Sequence, residues 1–146
     1  MRDGDDEARP DLDRAAVEDR MLQGPFHTWL GLRVLDLGED RIELAFTWRE
    51  EWVVRTEGGY THGGILATIV DLTADWALTS RAGGAVPTVD LRVDYHRPAK
   101  GDLRAVGQVV KYGRTTSVSE AQVFDTDGAL VASGRGVYLT SAAQKK

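Results

Sequence analysis

The chain has 146 residues, no cysteine, 42% hydrophobic residues and a formal net charge of −5. That length makes one domain with room for a proper core, and the missing cysteines exclude a disulfide framework and a thiol nucleophile. The acidic balance speaks against bulk nucleic-acid binding, and without a run of about 18 apolar residues no membrane partner is expected.

Residues 1–25 read as an N-terminal tail and short helix, 26–140 as the folded domain and 141–146 as a polar C-terminal tail. The opening MRDGDDEARPDLDR has no apolar region of the kind a signal peptide needs, so a cytoplasmic location is expected. Leu12 to Leu22 suits a short amphipathic helix with Ala16, Val17, Met21 and Leu22 inward, broken by Gly24-Pro25. Phe26 to Leu30 reads as a small apolar plug. Leu32 and Val34 then alternate as in a strand, while Leu35 and Leu37 continue on the other parity, which predicts a bulge or a strand covered on both faces. A turn at Gly38-Glu39-Asp40 leads to Ile42, Leu44, Phe46 and Trp48, a clean alternation that completes a hairpin.

After a polar loop at Glu50 to Tyr60 comes Thr61 to Gly84, THGGILATIVDLTADWALTSRAGG. Ile65, Ile69, Leu72 and Trp76 recur at helical spacing, with Leu66, Val70 and Ala77 as a second stripe, so this helix is buried on more than one side. Gly63-Gly64 leave unpaired N–H groups at its first turn, at the positive end of the helix dipole. Gly83-Gly84 stop it, with Arg81 in the last turn. The charges inside are Asp71 and Asp75, and a carboxylate amid Ala67, Ala74 and Leu78 needs a reason to be there.

Four strand runs follow, joined mostly by short turns that fit a meander. Val89, Leu91, Val93 and Tyr95 alternate until Pro98; Leu103 to Tyr112 and Thr115 to Phe124 flank Gly113-Arg114; and a turn at Asp125-Thr126-Asp127-Gly128 precedes Ala129 to Leu139. Small residues at Ser117, Ser119, Ala121, Ala132, Gly134 and Gly136 suit strands lying close to the helix or to a thin ligand. The order of elements predicts an α+β fold, one curved antiparallel sheet of five to six strands around one long helix.

Within one helix, Gly63 and Asp71 are eight residues apart, about 12 Å along the axis. An oxyanion donor and a base for one reacting carbon must each lie about 3 Å from it. An antiparallel pairing of this helix with its copy about a two-fold axis brings the start of one beside the middle of the other, twice.

His62-Gly63-Gly64, Asp71 nine residues after the histidine, and the runs VDLRVDYHRPAKGDL and VVKYGRTTSV resemble the hotdog-fold acyl-CoA thioesterases over roughly residues 26–140. The branch they resemble is the phenylacetate-pathway (PaaI-like) type of the 4-hydroxybenzoyl-CoA thioesterase superfamily. That resemblance implies a homodimer, often paired into a homotetramer, that hydrolyses an acyl-CoA thioester with no cofactor beyond the CoA of its substrate. It makes Asp71 the nucleophile or general base. It makes the Gly63 amide the polariser of the thioester carbonyl from the neighbouring subunit, and Thr88 the residue that helps hold the attacking water. The substrate-binding residues expected are His62, Gly64, Thr56, Arg97, Lys100, Arg114 and Thr115. Thr56 stands where many members carry Asn or Gln, a longer donor with two hydrogens rather than one.

Plainer roles stand beside these. Asp71 has a structural alternative as the partner of an arginine such as Arg92. Asp75 reads as structural, pairing with a cation or facing water. His62 suits a cap or brace for the loop, and His27 and His96 have no partner pattern, so no metal site is expected. Arg97, Lys100, Lys111 and Arg114 form either a solvated rim or a cradle for CoA phosphates. Trp76, Trp52 and Phe26 are candidates for lining an aromatic or medium-chain acyl pocket. A protein that binds or senses acyl-CoA without efficient catalysis is the alternative to a hydrolase; a hotdog dehydratase lacks its histidine pattern here.

Overall fold

The long apolar stretch folds as a helix laid across one face of an antiparallel sheet. The structure is a computed structural model and describes residues 13–144. The expected acidic tail and Leu12, where the first helix was to start, lie outside those residues, as do Lys145 and Lys146. Ahead of the sheet come α1 (Arg14–Met21) and α2 (Pro25–Trp29). The strands are β1 (Leu32–Gly38), β2 (Arg41–Phe46), β3 (Thr88–Tyr95), β4 (Leu103–Lys111), β5 (Ser117–Phe124) and β6 (Leu130–Tyr138). Between β2 and β3 lie the central helix α3 (Gly63–Trp76) and a single turn, α4 (Thr79–Ala82). This is the hotdog fold.

The spatial order is β1-β2-β4-β5-β6-β3, every neighbouring pair antiparallel. The meander expected from the third strand onward therefore holds only for β4-β5-β6. β3 takes the edge beside β6, and residues 96–102 carry the chain past two strands to β4. That link reaches roughly 23 Å when extended, ample for three inter-strand steps of about 14 Å in all. Short in sequence, it is long enough to cross the end of the sheet.

A row of small residues makes the seat for α3. Gly107, Ala121 and Gly134 lie side by side on three neighbouring strands. A side-chain carbon at Gly107 would come within 2.4 Å of the Thr73 carbonyl oxygen, and one at Gly134 within 2.7 Å of Val70. Helix backbone and sheet touch there because nothing larger stands between them. Around that contact Ile69, Val70, Leu72, Ala74 and Leu78 are buried against Ile42, Leu44, Phe46, Ala105 and Val123. Trp52 is wholly buried in the same core, so it does not line a pocket.

The β1–β2 hairpin has its expected bulge, a register shift between Val34 and Asp36 that leaves Leu35 unpaired. In α1, Val17 and Met21 are buried, but Ala16 is exposed rather than inward because the helix meets the sheet along a single narrow stripe. The central helix also ends earlier than Gly83. At Ala77 and Leu78 the backbone tightens (ψ −24° and −10°), and the Leu78 N–H donates to the Asp75 carbonyl at 3.0 Å, three residues back. One further turn, α4, reaches Gly83, which stops it in the left-handed conformation at φ 81°. Arg81, expected near a helix C-terminus, grips Asp40 of the hairpin turn through Nε and Nη2 at 2.9 and 2.8 Å. No helix among the described residues is long and apolar enough to cross a membrane.

Candidate active site

Two polar constellations sit on α3, one at each end of the sheet. The first is at the helix start. His62 caps it, Nδ1 accepting the Gly64 N–H at 2.8 Å, which is the bracing role expected of that ring. Gly64 is thereby spent. The Gly63 N–H has no acceptor among the described residues, so it stands free at the positive end of the helix. The Tyr95 hydroxyl donates to the Gly63 carbonyl at 3.1 Å and holds the following peptide, Gly63–Gly64, in place. Gly63 lies in the wall of a groove of about 370 Å³, with Tyr60, Leu66, Tyr95, Arg97 and Pro98 among its other lining residues.

The second constellation surrounds Asp71, two turns along. Its Oδ1 accepts two hydroxyls, Thr88 Oγ1 at 2.9 Å and Tyr138 Oη at 3.1 Å. Oδ2 accepts from no described residue. The structural alternative for Asp71 fails: Arg92 points from the other face of the sheet toward Asp94, 3.6 Å away, and no cation pairs with Asp71 among the described residues. Thr88 starts β3 and sits opposite Tyr138 of β6, so the pairing of those strands delivers both hydroxyls to one carboxylate. In this arrangement the Thr88 hydrogen is engaged with Asp71, and its lone pairs remain open to a water.

Asp75 pairs with no cation among the described residues and is half-buried. Its Oδ1 accepts the Val86 N–H at 2.9 Å and anchors the segment leading into β3. Burial raises its pKa to about 7, the Val86 hydrogen bond pulls the other way, and the Asp71 charge adds to the rise. The structural reading of Asp75 stands, with a different partner from the one expected.

The expected substrate-binding residues divide between the two ends. Arg97 and Lys100 are exposed beside the Gly63 groove, whereas Arg114 and Thr115 are exposed in the β4–β5 turn, at the end where Asp71, Thr88 and Tyr138 meet. Thr56 is exposed in a turn and hydrogen-bonds to no described residue. A larger cavity, about 460 Å³, lies on the opposite face of the sheet and is lined by the ion pairs Arg92–Asp94 and Arg135–Glu120. Its charges are already matched, and it has no access to Asp71. His27 meets Trp76 edge-on at 6.5 Å between ring centroids, and His96 Nε2 lies 2.8 Å from Ser133 Oγ, neither near Asp71.

Tyr138, Tyr95 and the Val86 contact of Asp75 were not foreseen. A signal for Tyr138 existed: it shares the inward parity of Gly134 and Gly136, and a tyrosine buried on a sheet's inner face needs an acceptor for its hydroxyl.

Known proteins resemble this chain. Residues 58–132 match the family model described as the thioesterase superfamily. A Halobacterium salinarum protein whose esterase designation is provisional is 35% identical over 147 residues, covering 93% of each chain. The medium/long-chain acyl-CoA thioesterase YigI of Salmonella typhimurium is 26% identical over 135 residues, 79% of this chain and 84% of its own. Among solved structures, a thioesterase-superfamily protein superposes with TM-score 0.83 at 47% identity, covering 86% of this chain and 96% of the other. A variant of the phenylacetic acid degradation protein PaaI from Thermus thermophilus superposes with TM-score 0.70 at 29% identity, covering 80% and 98%. Matched by that family model over residues 58–132, and with a relative 35% identical over 93% of its length, the chain belongs to the thioesterase superfamily of hotdog proteins.

Proposed function

We propose that this protein is an acyl-CoA thioesterase whose two equivalent sites are each shared between the subunits of a homodimer. The observation that carries the reading is the division of labour along α3. A free Gly63 N–H at the helix start and a free Asp71 Oδ2 two turns on are about 12 Å apart by helix rise, too far to serve one carbonyl. Antiparallel pairing of two copies of α3 closes that gap. It also brings Arg97 and Lys100 of one subunit toward Arg114 and Thr115 of the other, a basic rim suited to CoA phosphates.

In this reading the thioester carbonyl accepts a hydrogen bond from the Gly63 amide, which stabilises the oxyanion as charge develops. Asp71 Oδ2 takes a proton from water as it attacks, or attacks the carbonyl carbon itself to give a mixed anhydride that water then opens. Thr88 orients the carboxylate and, through its lone pairs, the water. The C–S bond breaks, the CoA thiolate takes up the proton held on Asp71 (or, on the anhydride route, one from solvent), and the acid and free CoA leave. The groove beside Gly63, walled by Tyr60, Leu66, Tyr95 and Pro98, suits an aromatic or medium-chain acyl group. The protein works in the cytoplasm as a homodimer, assembled further into a homotetramer.

Asp71→Asn keeps the shape and removes the base. It lowers kcat by about 10³-fold or more, at the upper part of what one acid–base group contributes, with CoA binding and melting temperature retained. Thiol release from a panel of acyl-CoA esters measures this, and wild-type turnover by the variant would discard the assignment. The exposed, unengaged Thr56 supports a second reading, an acyl-CoA-binding or sensing protein. On the same panel, such a protein binds the esters yet liberates no thiol.

A further inference from the structure

We propose that Tyr138 is a positioning residue for Asp71, locking its carboxylate so that a single oxygen, Oδ2, faces the substrate. This rests on the catalytic reading of Asp71 given above.

The Tyr138 hydroxyl lies 3.0 Å from the Asp71 backbone carbonyl and 3.1 Å from Oδ1 of the same residue. One phenol therefore touches both the helix backbone and the tip of the side chain it carries. A carboxylate on a helix is free to turn about two side-chain torsions. A phenol held in β6 that meets both that tip and the residue's own peptide removes the freedom. Thr88 adds a second donor to the same oxygen at 2.9 Å. Oδ1 is saturated from two strands, and Oδ2 is left bare.

Tyr138 is itself held rigidly. It is wholly buried, and its ring occupies space that Gly136 vacates: a side-chain carbon at Gly136 would fall 2.2 Å from Oη and 2.4 Å from Cζ. Glycine at 136 is thus the condition for tyrosine at 138. Burial, the nearby Asp71 and Asp75 charges and the hydrogen bond to Asp71 all hold the phenol pKa well above the usual 10, so the hydroxyl stays a donor. A hydroxyl that only needed satisfying would be served by the backbone carbonyl alone; the contact with Oδ1 is the additional feature, and it falls on the reactive group.

The test is Tyr138→Phe, which deletes one oxygen and keeps the ring that fills the core. Steady-state kinetics on the best acyl-CoA substrate are expected to show kcat about tenfold lower with KM within about twofold of wild type, the pattern of an interaction that matters in the transition state. Far-UV circular dichroism stays unchanged. Thr88→Val, made in parallel, loses the other donor to Oδ1. The double variant is expected to depart from the product of the two single losses, because both hydroxyls act on one atom. A Tyr138→Phe enzyme with unaltered kcat, or with its whole loss in KM, overturns the proposal. If that happens while Asp71→Asn is dead, the role of Asp71 survives and only that of Tyr138 falls. If Asp71→Asn is active, the catalytic reading falls first.

Discussion

At the β1 edge the chain closes its own sheet. Arg14 Nη1 donates to the Val34 carbonyl at 2.9 Å, and the Val34 N–H donates to Glu18 Oε2 at 2.8 Å, so two side chains of α1 stand in for a neighbouring strand. At the β3 edge no other element does this among the described residues; the Leu91 N–H donates to Oδ1 of its neighbour Asp90 at 2.9 Å, a contact within the strand itself. Val89 is 60% exposed and Tyr95 56% exposed, on a strand with β6 on one side only. An open edge carrying apolar side chains invites pairing with another chain unless something covers it. The chain covers one edge with α1 and gives no such cover to the edge whose two ends hold Thr88, which bonds to Asp71, and Tyr95, which braces Gly63. The uncovered edge is the one beside the residues proposed for the chemistry, as the proposed two-subunit site requires.

The sharpest way to break that contrast is to spoil the open edge. Val89→Asp sets a second carboxylate beside Asp90 on β3, where a two-fold partner would present the same pair. It is expected to halve the particle mass and lower turnover by about 100-fold or more, since neither protomer alone holds a complete site. Light scattering with activity assays checks both, and a wild-type protein that runs as an active monomer would refute the shared site.

A smaller effect concerns the anchor that feeds the same strand. Asp75 holds Val86, and its pKa rises from 3.8 to about 7 in the folded chain. Between those values the folded state keeps a proton that the unfolded state has released. Its contribution to stability is therefore full below about pH 4 and lost as pH climbs through about 7. Asp75→Asn is neutral at every pH and retains an acceptor for the Val86 N–H. It is expected to be more stable than wild type above pH 7, by up to roughly 4 kcal/mol, with the gap closing toward pH 4. Denaturant melts at pH 4 and pH 8 read this directly; an equal difference at both would contradict it.

The smallest effect belongs to the closed edge. Glu18→Ala leaves the Val34 N–H without its acceptor and is expected to cost about 1–2 kcal/mol. Oligomeric state and kcat stay as they are, because that edge faces α1 and not a partner. A change in assembly from this variant would show that the two edges are not as different as their contacts indicate.

Much of this molecule was legible before folding. The apolar stripes of α3, the HGG start, Asp71 nine residues after His62, the hairpin and the bulge at Leu35 are local patterns, set by side-chain periodicity and backbone sterics over a few residues, and periodicity survives whatever the rest of the chain does. The small residues at 121, 134 and 136 announced a close approach to the helix or to a thin ligand, and at Gly134 it is the helix. What the sequence left open depends on contacts between distant segments: β3 passing to the edge beside β6, Tyr138 reaching Asp71 across 67 positions, and Asp75 finding Val86 rather than a cation. A hydroxyl, a carboxylate and a backbone N–H are each compatible with many partners, and only the packing of the helix on its sheet selects among them. The residues of the proposed site were therefore candidates from the sequence alone, and which oxygen of Asp71 is left without a partner was decided by the tertiary structure.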